Sequence, residues 1–69
     1  MMNNKNFSTI EIGHTYERRD GQKAFVYYFN TVTQLYSCVI VGNQDMFTVD
    51  EYGNYMSSQK SHNDLVKEL

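Results

Sequence analysis

Residues 24–29, "AFVYYF", set six apolar or aromatic side chains in succession. A strand buried on one face alternates apolar with polar residues, because successive side chains point to opposite sides. This run fills both sides, so both faces of one strand need cover. On its N-terminal side, "RDGQ" at residues 19–22 carries Asp20-Gly21, a dipeptide favoured in type I′ hairpin turns. "HTYERR" (14–19) before it and "KAFVYYFN" (23–30) after it therefore read as a hairpin. "NTVTQ" links to "LYSCVIVG" (35–42), which is rich in β-branched residues. The turn-like "GNQD" (42–45) leads to "MFTVDEY", and Gly53-Asn54 turns the chain again into "YMS". "SSQKSHN" is polar loop, and "DLVKEL" closes the chain. Asn63 or Asp64 can cap a short helical turn over those last residues. A closing strand with Leu65 and Leu69 on one face is the alternative, and the one favoured here.

Several short strands between turn signals predict an all-β fold. The expectation is one domain over residues 1–69, with 1–9 as a flexible N-terminal segment. Its architecture is a small, strongly bent antiparallel sheet or SH3-like barrel of about five strands, with a short C-terminal helical turn as the variant. The pleat assigns Tyr16, Val26, Tyr28, Val39, Val41, Phe47, Val49 and Leu65 to the inner face, with Ile10 and Ile12 closing one end. Phe25, Tyr27 and Phe29 then share the opposite face. Burying a side chain of that size is worth about 1.5–3 kcal/mol, so the second face should be covered. The candidate covers are the N-terminal segment through Phe7, Ile10 and Ile12, a second copy, a partner, or the bend of the sheet itself.

Length sharpens the question of cover. A chain of 69 residues hides only about 60% of its unfolded surface, and the usual supports are disulfides, a metal or oligomerisation. Cys38 is the single cysteine, which excludes an intrachain disulfide and a cysteine-rich zinc site. The polar start "MMNNKNFSTIEIG" has no signal-like apolar core, and no run approaches the roughly 18 apolar residues of a membrane span. A soluble protein of a reducing cytoplasm is expected.

Net charge is −2, with +1 over residues 1–35 and −3 over residues 36–69. A protein that binds nucleic acid through phosphates usually carries a basic excess, and this chain has none. Catalytic and metal chemistry find little to work with. His14 and His62 stand far apart with no ligand-like spacing, so no metal and no cofactor are expected. Cys38 sits mid-strand, where a small buried hydrophobe is its ordinary role. Asp50-Glu51 point to opposite sides of an extended chain, which argues against a working carboxylate pair. The expectation is a protein that is not an enzyme.

One constellation remains. Arg18 and Arg19 lie beside Phe25, Tyr27 and Phe29, with Tyr36 on the next strand. Tyr and Arg are enriched in protein interfaces. The same set could stack single-stranded nucleic acid or hold a nucleotide-like ligand. The charge ranks a protein partner first, a small ligand second and nucleic acid third, with a homodimer or higher oligomer left open.

Gly13, Tyr16, Arg19 and Gly21, followed by the apolar run and then by "FTVDEYGNY" and "NDLVKE", resemble a loose group of short accessory proteins of tailed bacteriophages and prophages. The resemblance spans roughly residues 10–68. It departs from the commoner pattern in its aromatic middle strands and its glycine-free Ser/Lys loop after Met56. It implies a setting and no catalytic residue: a small binding protein in the host cytoplasm that modulates a host or phage macromolecule, as an inhibitor in counter-defence or host takeover. Three alternatives stay open: an oligomer that sequesters a nucleotide signal or other small ligand, a single-stranded nucleic-acid-binding module, and a structural protein of the virion.

Overall fold

The computed structural model describes residues 5–56 and 58–69. Five strands form one antiparallel sheet: β1 (Thr15–Arg18), β2 (Lys23–Asn30), β3 (Leu35–Ile40), β4 (Met46–Val49) and β5 (Leu65–Glu68). Their order is β4-β3-β2-β1-β5, a four-strand meander of β1–β4 with β5 returning to pair with β1. This is the small bent sheet expected from the sequence. Among the described residues there is no helix, so the variant with a helical turn over the last residues gives way to strand β5. None is therefore long and apolar enough to cross a membrane.

The hairpin forms where expected, with a different turn. The Gly21 amide donates to the Arg18 carbonyl and the Arg18 amide to the Gln22 carbonyl, a three-residue loop ending in left-handed Gly21, φ 91°. Asp20 stays at negative φ, unlike the first central residue of a type I′ turn. Its carboxylate accepts from the Gln22 amide at 3.1 Å and from the Arg18 guanidinium, which holds the tighter turn.

The core lies on the concave face: Ile10, Tyr16, Ala24, Val26, Cys38, Ile40, Val49 and Leu65, with Phe7, Tyr36 and Phe47 packed against it. Ile10, Tyr16, Val26, Val49, Leu65 and the half-buried Phe47 match the pleat read from the sequence. Tyr28, Val41 and Ile12 are exposed instead, and Val39 is half-buried on the convex side. Two physical causes account for this. The β2–β3 ladder pairs Val26 with Cys38 and Tyr28 with Ser37, leaving Tyr27 as an unpaired extra residue. That β-bulge flips the pleat, sending Tyr28 outward and Phe29 inward. In β3 the apolar residues occupy both parities, and Cys38 and Ile40 are the inward ones.

The sheet bends enough for β1 to reach β4 across the concave face, where the Arg18 guanidinium lies 4.9 Å from the Phe47 ring centre. Phe7 meets Tyr16 edge-on at 5.0 Å, and the Ile10 amide donates to the Glu51 carbonyl. The described part of the N-terminal segment thus closes the concave core, and among the described residues nothing covers the convex face. Residues 1–4 of the segment expected to be flexible lie outside the described residues.

Residues 50–64 are a long connection, and two aspartates shape it. Asp50 Oδ1 accepts from the Tyr52 and Asn54 amides, both at 2.9 Å. Asp64, 2% exposed, accepts from the Tyr55 amide at 2.8 Å, the Ser61 amide at 3.0 Å and Arg19 Nη2 at 3.2 Å. Between them, left-handed Gly53 (φ 81°) packs against Leu65 and Ile10, and its carbonyl accepts from the Leu65 amide.

Candidate binding surface

The convex face is built by the outward parity of the strands. Cross-strand partners share a face, so Thr15, Phe25, Val39 and Met46 form one row, and Tyr28, Ser37 and Thr48 the next. The bulged Tyr27 sits between these rows, its hydroxyl donating to Met46 Sδ at 3.2 Å. Phe25 is 36% exposed, Tyr27 43%, Tyr28 52% and Met46 70%. Four large apolar side chains this open on adjoining strands form a patch, which soluble proteins rarely leave without a purpose. The other half of the convex face is charged, with Glu17 in register with both Lys23 and Lys67.

The structure divides the residues proposed from the sequence. Phe25 and Tyr27 lie on the aromatic half of the convex face. Phe29 and Tyr36 do not: they pack on each other at 4.7 Å on the concave side. Arg18 also lies on the concave side, over Phe47 and paired with Asp20. Arg19 turns to the 50–64 connection, where Nε donates to the Ser61 carbonyl and Nη2 to Asp64. Neither arginine meets the aromatic face. Tyr28, Val39 and Met46 complete that face, and the sequence reading missed all three.

The motif behind the phage resemblance has structural work. Gly13 and Gly21 hold positive φ, Tyr16 is fully buried with its hydroxyl accepting from the Glu11 amide, and Arg19 meets Asp64. Two distant pieces of the motif, around Arg19 and around "NDLVKE", are therefore the two halves of one ion pair.

The remaining chemistry-bearing groups are spoken for or dispersed. Burial pushes the Cys38 thiol up to about 12, which keeps it protonated and unreactive. His14 Nδ1 lies 2.6 Å from Glu68 Oε2 and Nε2 lies 3.6 Å from Glu11 Oε1. The Glu68 hydrogen bond raises the His14 pKa against a smaller opposing effect of burial. Burial tends to raise the pKa of Asp64, and the amides of Tyr55 and Ser61 together with Arg19 outweigh it, so the net shift is downward. Among the described residues, no three His, Cys, Asp or Glu gather to hold a metal. Two open depressions of about 340 Å³ each adjoin one another, sharing Arg19, Met56, Gln59 and Lys60, and Lys5 and Asp64 join the lining of one. Compared with protein-family models, curated proteins and solved structures, the chain matches none of them.

Proposed function

We propose that this is a phage-encoded binding protein, without catalysis of its own, that modulates a host or phage protein in the host cytoplasm, as in counter-defence or host takeover. The phage setting rests on the motif resemblance. The observation that carries the binding role is the exposed patch of Phe25, Tyr27, Tyr28 and Met46. Tyrosine brings large area with a hydroxyl tip, the chemistry of protein interfaces. A protein is preferred to nucleic acid because the lysines of this face, Lys23 and Lys67, stand in register with Glu17 and the chain as a whole is acidic. Tagged protein should retain one host protein near stoichiometry from lysate, with or without nuclease. The double variant Tyr27→Ser/Tyr28→Ser should keep its circular dichroism and lose that protein. Equal retention by the variant, or loss on nuclease treatment, would defeat the proposal.

The joined depressions support a second reading, an anionic small ligand held near Arg19 and Lys60. Ligand at a hundredfold excess over Kd adds about 2.7 kcal/mol of stability. A screen of nucleotides that moves the melting temperature of the wild type and of the Lys60→Ala variant equally would dismiss it.

A further inference from the structure

The sheet has two edges, and the chain treats them differently. At the β5 edge the side chain of Asn6 imitates a neighbouring strand. Its Oδ1 accepts from the Glu68 amide at 2.6 Å and its Nδ2 donates to the Glu68 carbonyl at 3.2 Å. Further along, the Leu65 amide is taken by the Gly53 carbonyl at 2.7 Å. An edge blocked in this way is closed to further pairing.

Among the described residues the β4 edge has no such cover. The Ile40 amide donates to the Asp45 carbonyl at 2.8 Å, which fixes the phase of the β3–β4 ladder. Asp45, Phe47 and Val49 turn their backbone groups toward β3, and Met46 and Thr48 turn theirs away. Among the described residues nothing bonds the amide or carbonyl of either. The next outward amide, that of Asp50, is taken by the Asn54 carbonyl at 3.0 Å, so the open stretch ends there. It borders the aromatic face directly, because the Met46 side chain receives the Tyr27 hydroxyl.

Charge says what fits. Exposed Asp45 stands at one end of β4; Asp50 and exposed Glu51 stand at the other, with Lys5 near enough to Asp50 to feel its charge. A second copy added antiparallel would bring the Asp45 end of each β4 beside the Asp50–Glu51 end of its mate, an unfavourable clustering of like charge. An extended segment with basic ends meets opposite charge at both. We propose that the β4 edge is a strand-addition site for an extended, β-branched peptide segment flanked by basic residues, carried by the protein that docks on the aromatic face. It rests on that reading of the face, and main-chain bonds at Met46 and Thr48 would supply the register.

The probe is a nine-residue capped peptide of alternating valine and threonine with two lysines at each end, titrated into the 15N-labelled protein. Controls are the same peptide with glutamates for lysines, and one N-methylated at every amide of its valine and threonine residues, which blocks both of its edges. Saturable shifts and slowed exchange at the Met46 and Thr48 amides are expected with the first. Affinity should fall about tenfold with the glutamate peptide at low salt, and the N-methylated peptide should leave both amides unmoved. Absence of saturable shifts at those amides, or equal affinity for the glutamate peptide, would overturn the site. So would shifts there that grow with protein concentration alone, since a second copy would then be the occupant. Edge binding in a protein that captures nothing from lysate would remove the aromatic-face reading and leave the edge site. Capture with no edge shift would remove the edge site alone.

Discussion

Replacing Asp64 with asparagine keeps size and shape and takes away one acceptor oxygen. In the native chain, Oδ1 serves the Tyr55 amide and Oδ2 serves both the Ser61 amide and Arg19. An asparagine can accept from only one side, and its amide group then faces another donor on the other. A buried donor left unsatisfied costs about 1–3 kcal/mol. The lost ion pair adds little, roughly 0–1 kcal/mol, because the Arg19 side chain is 40% exposed. Asp64→Asn should therefore destabilise the fold by about 1–4 kcal/mol. A domain of 69 residues has a total of roughly 3–10 kcal/mol at about 0.05–0.15 kcal/mol per residue, so this is a large share. Urea unfolding followed by circular dichroism reads it as a lower midpoint at unchanged slope. The pH dependence supplies an independent check. Asp64 has a folded pKa below its unfolded value, so its contribution is fully present above about pH 4 and fades as pH falls through the folded value. The gap between wild type and variant should narrow in that acid range. A difference under about 0.5 kcal/mol at neutral pH, within the usual range of surface substitutions, would refute the assignment of Asp64 as the organiser of residues 50–64.

Three further outcomes follow from the same packing. Gly53→Ala would place a Cβ 3.0 Å from Leu65 Cβ at φ 81°, and should lower stability by about 1–3 kcal/mol in the same urea assay. Glu68→Gln should lower the His14 pKa in an NMR titration of the imidazole. Because that pKa is raised in the folded state, its contribution is whole below about pH 6.5 and is lost as pH rises through the folded value. Cys38, fully buried with its pKa pushed to about 12, should resist a thiol reagent at neutral pH until denaturant is added; prompt labelling of the native protein would contradict its place in the core.

The elements were legible because turn chemistry and β-branched runs mark them locally. The pleat was harder, because the apolar run of β2 carries no alternation to fix its phase. Its polar ends did carry the answer. Lys23 and Asn30 both leave the concave core, yet they stand seven positions apart, an odd offset that one unbroken pleat cannot accommodate. One bulge resolves it, and the structure places that bulge at Tyr27. In β3, Ser37 shares its parity with Val39 and Val41 and is polar, which marks that parity as outward and Cys38 and Ile40 as core. The arginines were the least legible part. Their nearness to the aromatics in sequence suggested one surface, but Arg18 is turned onto Phe47 and Arg19 onto Asp64. The partner of Arg19 is 45 residues away in the chain, beyond anything local spacing can reveal.

The central claim is that the convex aromatic face is where a protein partner sits. A photo-crosslinking amino acid at position 28, inside that face, should be compared with one at Val32, which is 90% exposed on the β2–β3 loop and outside it. Irradiated in host cells, the protein substituted at Tyr28 is expected to give one discrete heavier adduct and the protein substituted at Val32 none. No adduct from position 28, or the same adduct from both, would contradict the account.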